Sequence, residues 1–156
     1  IIKSRERLGG ITTARQLRRA DGLRYFAYRN LREFMAKTLG PHDISSSEWS
    51  ILGIVHEESA GGGVRVSTLA DILDVQTSFV TNMVRKLQKQ GYVKHTFDED
   101  DARVRLIVAT DKAHMKVTEI ESTMRRDMSE WLGDIEPKDL LTYIKVLQHI
   151  SKKKSD

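Results

Sequence analysis

The amino-acid sequence predicts an α+β fold that is mainly α-helical, with one small β-hairpin. Three observations support this prediction. Apolar residues recur at helical spacing along most of the 156 residues. Two short helical patterns are separated by only three residues, at positions 74–76. Two segments with the alternating pattern of strands then enclose an acidic turn at positions 98–102.

A long helix is predicted first, over residues 12–39, and a second helix follows it closely. Gly40 and Pro41 end the first helix, because proline lacks an N–H and cannot continue the helical bonding. The second helix is predicted to start at a capping box, in which Ser45 and Glu48 accept each other's backbone N–H groups. The apolar residues of the two helices are Leu17, Leu23, Phe26, Ala27, Leu31, Phe34, Met35 and Leu39, and then Trp49, Leu52 and Val55.

Residues 67–91 predict two helices joined by a tight turn. Ser67 is predicted to cap the first, whose buried stripe comprises Leu69, Ala70, Ile72 and Leu73. The second, called the reading helix below, covers residues 76–91 and ends at Gly91 in a left-handed cap. Its predicted buried face comprises Phe79, Val80, Met83, Val84 and Leu87. A connection this short is typical of a helix-turn-helix.

The other face of the reading helix carries side chains that suit DNA, namely Thr77, Ser78, Thr81, Asn82, Arg85, Lys86 and Lys89. Asparagine and arginine can bond base edges through two atoms at once, hydroxyls bond bases or phosphates, and lysine neutralises phosphate. The alternative interpretation is the solvated face of an ordinary amphipathic helix.

A β-hairpin is predicted to follow at once, with strands over residues 92–97 and 103–108. Alternation along the second strand predicts one inward set, Val104, Leu106 and Val108, and one outward set, Arg103, Arg105 and Ile107. Two helices and a hairpin in this order are typical of a winged helix-turn-helix, in which the hairpin, or wing, reaches a minor groove beside the major groove that the helix reads.

The acidic tip of the wing needs a physical explanation, because its carboxylates would repel phosphate. Asp101 is expected to pair with Arg103 and to hold its guanidinium outward. The alternative is a plain solvated turn. A calcium-binding loop of the EF-hand type does not fit, because the glycine required at its sixth position is absent.

Two further helices are predicted after the wing, over residues 111–131 and from Pro137 onward. Their apolar stripes are Val117, Ile120, Met124, Met128 and Trp131, and then Leu140, Leu141, Ile144, Leu147 and Ile150. The polar tail from Ser151 is expected to fray. The end helices are too long and too apolar for a small winged core to cover, so two subunits are expected to interleave as a homodimer. The alternative is a monomer whose end helices pack on its own core.

In four segments the chain resembles the MarR family of bacterial winged-helix regulators. These are ISSSEWSIL at 44–52, STLADIL at 67–73, LQKQGYV at 87–93, and DEDDAR at 98–103 leading to Thr110. The resemblance implies a triangular obligate dimer that binds duplex DNA, with Arg103 beside Asp101 as the wing-tip pair. The chain departs from the family at three positions. Asn82 and Ala102 stand where arginine is usual, and Ala113 stands where glycine is usual. These departures concern the particular DNA sequence recognised.

Composition excludes several other classes of protein. The net charge of +4 and the isoelectric point of about 9.4 favour an anionic partner. No apolar run approaches the roughly 20 residues that span a bilayer, and no signal-peptide pattern is seen, so a cytoplasmic location is expected. The chain starts at Ile1, so a few native residues are expected upstream. Without cysteine, disulfides, thiolate zinc sites and cysteine-based sensing are excluded.

No enzyme, cofactor or metal is predicted. The five histidines are scattered, none forms a His-x-x-x-His pair, and no G-x-S-x-G motif is present. If distant segments assembled a metal site, His42 and His114 would be its first candidates.

An effector site is expected between the dimerisation helices and the winged core, where the resemblance implies binding of small aromatic acids or phenolic compounds. A cation beside aromatic walls suits a ring with a carboxylate. The candidates are Tyr25, Tyr28, Arg29 and Trp49. The alternative is that these are ordinary core aromatics and a surface arginine.

The sequence therefore predicts an N-terminal dimerisation region (1–43), a winged helix-turn-helix DNA-binding domain (44–110) and C-terminal dimerisation helices (111–156). The predicted function is sequence-specific binding of double-stranded DNA at a pseudo-palindromic operator, as a repressor released by an aromatic or phenolic effector. The alternative function is a winged-helix module that binds protein or RNA. The predicted DNA-binding residues are Ser67, Thr77, Ser78, Thr81, Asn82, Arg85, Lys86, Lys89, Asp101, Arg103 and Arg105.

Overall fold

The computed structural model describes residues 14–98, 101 and 103–151. Their helices are α1 (Ala14–Leu39), α2 (Ser46–Glu58), α3 (Val66–Leu73), α4 (Thr77–Lys89), α5 (Asp111–Trp131) and α6 (Pro137–Ser151), with 3-10 turns at Gly40–His42 and Ser59–Gly61. Strands β1 (Val93–Phe97) and β2 (Arg105–Ala109) pair antiparallel. The predicted α+β fold class is confirmed. The predicted helix start at residue 12 and the tail beyond Ser151 lie outside the described residues.

The hydrophobic core lies where α2, α3, α4, the hairpin and the first half of α5 meet. Its centre consists of side chains at most 1% exposed, among them Ile51, Leu52, Val55, Leu69, Val80, Leu87, Ile107, Val117 and Ile120. Each helix contributes one apolar face, as its spacing predicts. Because Val117 and Ile120 lie in this core, α5 is packed into the winged core and leaves it as one continuous helix.

Two predicted helix ends are confirmed by their capping bonds. At Gly91 (φ +77°), the N–H of Gly91 bonds the carbonyl of Gln88 and the N–H of Tyr92 bonds that of Leu87. This pair of bonds is the Schellman motif, which a glycine adopts without strain. At the other predicted signal, Ser45 and Glu48 form the complete capping box that begins α2.

The predicted N-cap of α3 is wrong. The helix begins at Val66, its N-cap residue is Arg65, and Ser67 lies exposed within the first turn. The reason is tertiary: Val64 pairs with Ile107 of β2 through N···O distances of 3.0 and 2.8 Å. The helix therefore begins two residues after the bridged Val64, with no room for a loop before it.

The structure also overturns the outward assignment of Ile107, which is only 1% exposed. Val64 forms a short third edge on β2, and α2 packs against the same strand. Leu106 and Ile107 are neighbours that point to opposite faces of β2, and both are buried, while Val104 and Val108 are only half-buried. Alternation predicts one buried face, and it fails where a strand is covered on both.

Two apolar residues predicted to be buried are exposed instead. Ile72 in α3 is 54% exposed and Phe79 in the first turn of α4 is 40% exposed. The core ends at Leu69 and Ala70 on α3 and at Val80 on α4. Ile72 and Phe79 lie beside these positions, at the edge of the apolar stripe rather than at its centre.

The end helices carry large apolar side chains that the rest of the chain leaves uncovered. On α1 these are Leu23, Tyr25, Phe26, Tyr28 and Leu31, and on α6 they are Leu141, Tyr143, Ile144, Val146 and Leu147, each at least 40% exposed. Phe34 of α1 stacks on Trp131 of α5 with ring centroids 4.8 Å apart. The side chains of Leu17 and Ile150 lie outside the described part. Among the described helices, none has the length and apolarity to cross a bilayer.

Candidate nucleic-acid interface

The reading helix, α4, is held by one face and leaves the other free. Val80, Val84 and Leu87 are buried, and Met83 packs partly against the core. All seven predicted DNA-facing side chains of the helix are exposed, from Thr77 to Lys89. The sequence-based division into a core face and a polar face is therefore correct, with Phe79 as the exception.

The turn before α4 sets the angle at which the helix leaves α3. Asp74 adopts a left-handed conformation (φ +52°), and its N–H bonds the carbonyl of Asp71, while the N–H of Val75 bonds that of Ala70 at 3.1 Å. Gln76 is the N-cap residue of α4 and makes no side-chain capping bond. An uncapped helix start can offer N–H groups to a phosphate oxygen.

Asn82 and Arg85, the two predicted base readers, contact each other. A guanidinium N–H of Arg85 donates to Oδ1 of Asn82 at 3.0 Å, one turn earlier on the same face. This bond orients the guanidinium along the exposed face and occupies the asparagine oxygen. Thr81 is also engaged, because its hydroxyl donates to the carbonyl of Thr77 at 2.8 Å. Its oxygen keeps lone pairs with which it can accept a further bond.

Lys86 has a partner that the sequence analysis did not assign. Its ammonium lies 2.9 Å from Oε1 of Glu48, which belongs to α2 and is 0% exposed. Burial raises the pKa of Glu48, but hydrogen bonds from Ser45 and the nearby Lys86 outweigh it and hold that pKa below its usual value. Lys89 is exposed, one turn further along α4.

In the wing, the contact between Asp101 and Arg103 differs from the predicted pairing. The carboxylate of Asp101 accepts the backbone N–H of Arg103 at 2.9 Å rather than its guanidinium. The N–H of Asp101 donates in turn to the carboxylate of Asp98 at 3.3 Å, and Val104 closes the turn with a bond to the carbonyl of Asp101. The acidic residues therefore build the turn that carries Arg103. Glu99, Asp100 and Ala102 lie outside the described residues.

Two further cations are exposed, one on β2 and one at the start of α3. Arg105, predicted to bind DNA, begins β2 opposite Phe97. Arg65, which is not among the predicted DNA-binding residues, is exposed at the N-cap of α3, two residues before Ser67. Arg65 was not predicted to lie at the start of α3, because the sequence pattern placed the N-cap at Ser67 and the helix begins earlier.

Of the four predicted effector residues, three lie within about one turn on α1 and the fourth lies on α2. Tyr25, Tyr28 and Arg29 lie on α1, each at least half-exposed, and Arg29 lies over the ring of Phe26 at 5.3 Å. Trp49 of α2 packs partly against the core. A depression of about 410 Å³ lies where α1 crosses α5, and it is lined by Phe34, Lys37, Thr38, Asp127, Glu130 and Trp131.

His42 and His114, the first candidates for a metal site, have different partners. His42 lies 3.3 Å from Glu119 of α5, whereas His114 packs edge-on against His56 with ring centroids 4.7 Å apart. No cluster of three or more metal-ligating side chains is found among the described residues.

Comparison with known proteins gives a consistent family assignment. Residues 42–104 match the model of the MarR family. Among curated proteins, the chain is 30% identical over 101 residues to the uncharacterized HTH-type transcriptional regulator YwoH of Bacillus subtilis, covering 65% of this chain and 71% of YwoH. It is 28% identical over 99 residues to the transcriptional activatory protein BadR of Rhodopseudomonas palustris, covering 62% of this chain and 56% of BadR. The match therefore spans little more than half the length of BadR.

Solved structures share the fold. CouR from Rhodococcus jostii RHA1, bound to p-coumaroyl-CoA, superposes with a TM-score of 0.74 at 21% identity, over 88% of this chain and 96% of CouR. A mutant of E. coli MarR complexed with operator DNA superposes with a TM-score of 0.71 at 15% identity, over 86% of this chain and 95% of the other.

Proposed function

We propose a function from one established premise: the chain belongs to the MarR family of winged helix-turn-helix, DNA-binding transcriptional regulators. On that premise, α4 enters a major groove and the wing places Arg103 in the adjacent minor groove. The observation that carries the proposal is the continuous exposed polar face of α4 opposite the buried Val80, Val84 and Leu87. A helix held in this way can enter a groove without disturbing the core.

The exposed residues divide by chemistry into readers and positioners. We assign base contacts to Asn82 and Arg85, whose amide and guanidinium can recognise base edges. Short hydroxyls and exposed cations contact the phosphates, and Asp101 shapes the wing without contacting DNA. The residues assigned to phosphate or groove contacts are Ser67, Thr77, Ser78, Thr81, Lys89, Arg103 and Arg105.

The functional unit in this proposal is a homodimer. The exposed apolar stripes of α1 and α6 would be buried against their counterparts in a second copy, which leaves two winged cores on the outside. A two-fold dimer presents two reading helices to successive major grooves, about 34 Å apart, and therefore fits a pseudo-palindromic operator. Residues 1–43 and 111–156 then supply dimerisation, and 44–110 supply DNA contact, with the start of α5 shared between the two tasks.

Regulation by a small molecule completes the proposal. CouR, a structural neighbour, binds p-coumaroyl-CoA, which contains a phenolic ring. We assign an aromatic or phenolic effector to this chain, with Tyr25, Tyr28, Arg29 and Trp49 as the residues to test first. We further assign repression by operator occupancy as the mode of action. BadR is named for activation, so the sign of regulation is tested separately, by measuring transcription with the operator placed over and upstream of a promoter.

Selection of bound duplexes from a random DNA pool tests the function as a whole. The expected result is a pseudo-palindromic consensus whose half-sites are one helical turn apart. Affinity for that duplex should fall with salt, with a log–log slope of about −0.9 per phosphate contact. If no duplex is enriched and binding at low salt is absent, the alternative of a protein- or RNA-binding winged-helix module replaces the proposal.

A further inference from the structure

A charged carboxylate lies buried beneath the reading helix. Glu48 is 0% exposed, although it sits in the first turn of α2, where most carboxylates are solvated. Burial of an ionised group is unfavourable unless every oxygen is paired. The contacts of its two oxygens therefore indicate why the charge is kept.

One oxygen serves the capping box of α2. Oε2 of Glu48 accepts the backbone N–H of Ser45 at 2.9 Å and also the hydroxyl of the same residue. A neutral glutamine can complete a capping box equally well, since only one acceptor atom is needed. The cap therefore does not explain the charge or the second oxygen.

The second oxygen connects α2 to the reading helix. Oε1 is buried, and within the part of the chain that the structure describes its partner is the Lys86 ammonium, at 2.9 Å. The geometry is that of an ion pair rather than a well-directed hydrogen bond. Lys86 follows Arg85 directly and lies one turn after Asn82. The pair thus fixes α4 against α2 beside both proposed base readers.

A contact at this place controls how α4 is rotated about its axis. The hydrophobic effect is not directional, so apolar packing alone restrains a small slip of α4 less than a paired polar contact does. An ion pair of defined length resists that slip, and base readout requires side chains placed to within about 0.5 Å.

We propose that Glu48 is a positioning residue for DNA reading, and that Lys86 is its ion-pair partner rather than a phosphate contact. Lys86 is called a strut in this role, because the ion pair fixes α4 against α2. This inference rests on the proposed function, in which α4 reads base edges. It replaces the expectation, drawn from the sequence, that Lys86 neutralises phosphate.

The two roles of Lys86 predict different salt dependence. The salt slope is the slope of log affinity against log salt concentration. In Lys86→Met, loss of a phosphate contact would make this slope shallower by about 0.9 per subunit, for operator and random duplex alike. Loss of a strut leaves that slope and the affinity for random duplex unchanged. It lowers operator affinity by roughly tenfold or more, because the readers are misplaced. Lys86→Arg, which retains the ion pair, should restore operator affinity.

Glu48→Gln provides the sharper test, because the two roles predict opposite signs. The amide keeps the capping box but releases Lys86. A released phosphate-binding lysine would strengthen binding to operator and random duplex alike, whereas a lost strut weakens binding to the operator. Lys89→Met is the matched control on the same helix, and it should make the salt slope shallower while the ratio of operator to random affinity stays constant.

Folding is checked by circular dichroism and urea unfolding of each full-length variant. If a single change unfolds the protein, the neutral pair Glu48→Gln with Lys86→Met is measured instead, because it leaves no unpaired buried charge. This pair should fold and still discriminate poorly between operator and random duplex. A shallower slope in Lys86→Met, or unchanged discrimination in folded Glu48→Gln, overturns the inference while the proposed function stands. Failure of the parent to bind duplex would instead overturn the proposed function.

Discussion

Asp101 shows how a single acidic residue can serve a DNA-binding wing. Its carboxylate accepts the N–H of Arg103 and so shapes the turn that presents the arginine. We expect the benefit of this turn geometry for DNA binding to exceed the repulsion between the carboxylate and phosphate. The acid therefore acts through the backbone, and its amide analogue can do the same.

Asp101→Ala should weaken operator binding by roughly two- to tenfold, the effect of losing one exposed hydrogen bond that orders the turn. Asp101→Asn should bind as well as the parent, because its Oδ1 can accept the same N–H. Fluorescence anisotropy with a labelled operator measures both. Arg103→Ala should lose more affinity, and the double change Asp101→Ala with Arg103→Ala should be less than additive. Tighter binding by Asp101→Ala would show that simple charge repulsion dominates at the tip.

Gly63 is a residue whose missing side chain is required by packing. It has φ +109°, and a Cβ there would lie 2.6 Å from Cγ1 of Val108 and 2.7 Å from the carbonyl oxygen of Ile107. The close approach follows from the pairing of Val64 with Ile107, which brings the loop onto β2.

Gly63→Ala should therefore destabilise the protein by about 1–3 kcal/mol or more, since backbone atoms cannot move aside easily. Gly61→Ala is the matched control in the same loop. It has open space around the added Cβ and no positive φ, so its effect should stay within about 0.5 kcal/mol. Urea unfolding measures the difference, and equal stability of the two variants would contradict this account of the loop.

At the scale of elements, the turn between α3 and α4 holds a non-glycine residue in a left-handed conformation. Asp74 has φ +52°, a region that costs an L-residue roughly 1–2 kcal/mol and that aspartate tolerates better than most. Asp74→Gly should raise the free energy of unfolding by up to about 1 kcal/mol, and Asp74→Ala should lower it. Thermal melts of the two variants and the parent check this order. Destabilisation by both changes would mean that the side chain itself holds the turn.

The reading helix divides into residues that choose the sequence and residues that hold the DNA. Arg85→Ala should cost about 1–3 kcal/mol at the operator and relax the preference at one base pair. Lys89→Ala should weaken binding to all duplexes alike and make the salt slope shallower. Competition among operator variants at several salt concentrations separates the two effects. Asn82→Ala should reproduce part of the Arg85 loss, because Asn82 orients its guanidinium. Equal loss of specificity in Arg85→Ala and Lys89→Ala would show that the assignment is wrong.

At the scale of the whole molecule, the winged core is complete but the end helices are not. Its central side chains are fully buried, whereas Ile144 of α6 is 42% exposed among other apolar residues. Two copies that share these faces would bury them together, and their stability would then depend on protein concentration.

Ile144→Glu should therefore convert a dimer to monomers and reduce affinity for the full operator to that of one half-site. Thr142→Glu, which adds the same charge on the opposite side of α6, is the control and should remain dimeric. Analytical ultracentrifugation and operator titration measure the two properties. A monomeric parent, or a dimer that Ile144→Glu leaves intact, would contradict the proposed assembly.

Features that depend on neighbouring residues could be predicted before the fold was known. The capping box of Ser45 and Glu48, the end of the reading helix at Gly91 and the start of α5 at Asp111 were all predictable. Each depends on bonds that span at most five residues, so local chemistry is sufficient. The polar face of α4 was predictable for the same reason, because helical periodicity separates the two faces before any packing is known.

Which residues meet across the chain depends on how the elements pack, and local patterns do not contain that information. The bridge between Val64 and Ile107 precedes the early start of α3, and packing on β2 buries Ile107, which alternation placed outside. The ion pair between Glu48 and Lys86 joins residues that no local pattern connects, and it changes the role proposed for the lysine. Ile72 and Phe79 are exposed because they lie at the edge of the core, beyond the neighbouring elements that cover the buried residues. Periodicity indicates which side of an element is apolar, but only the packing of the neighbouring elements determines how far that side is covered.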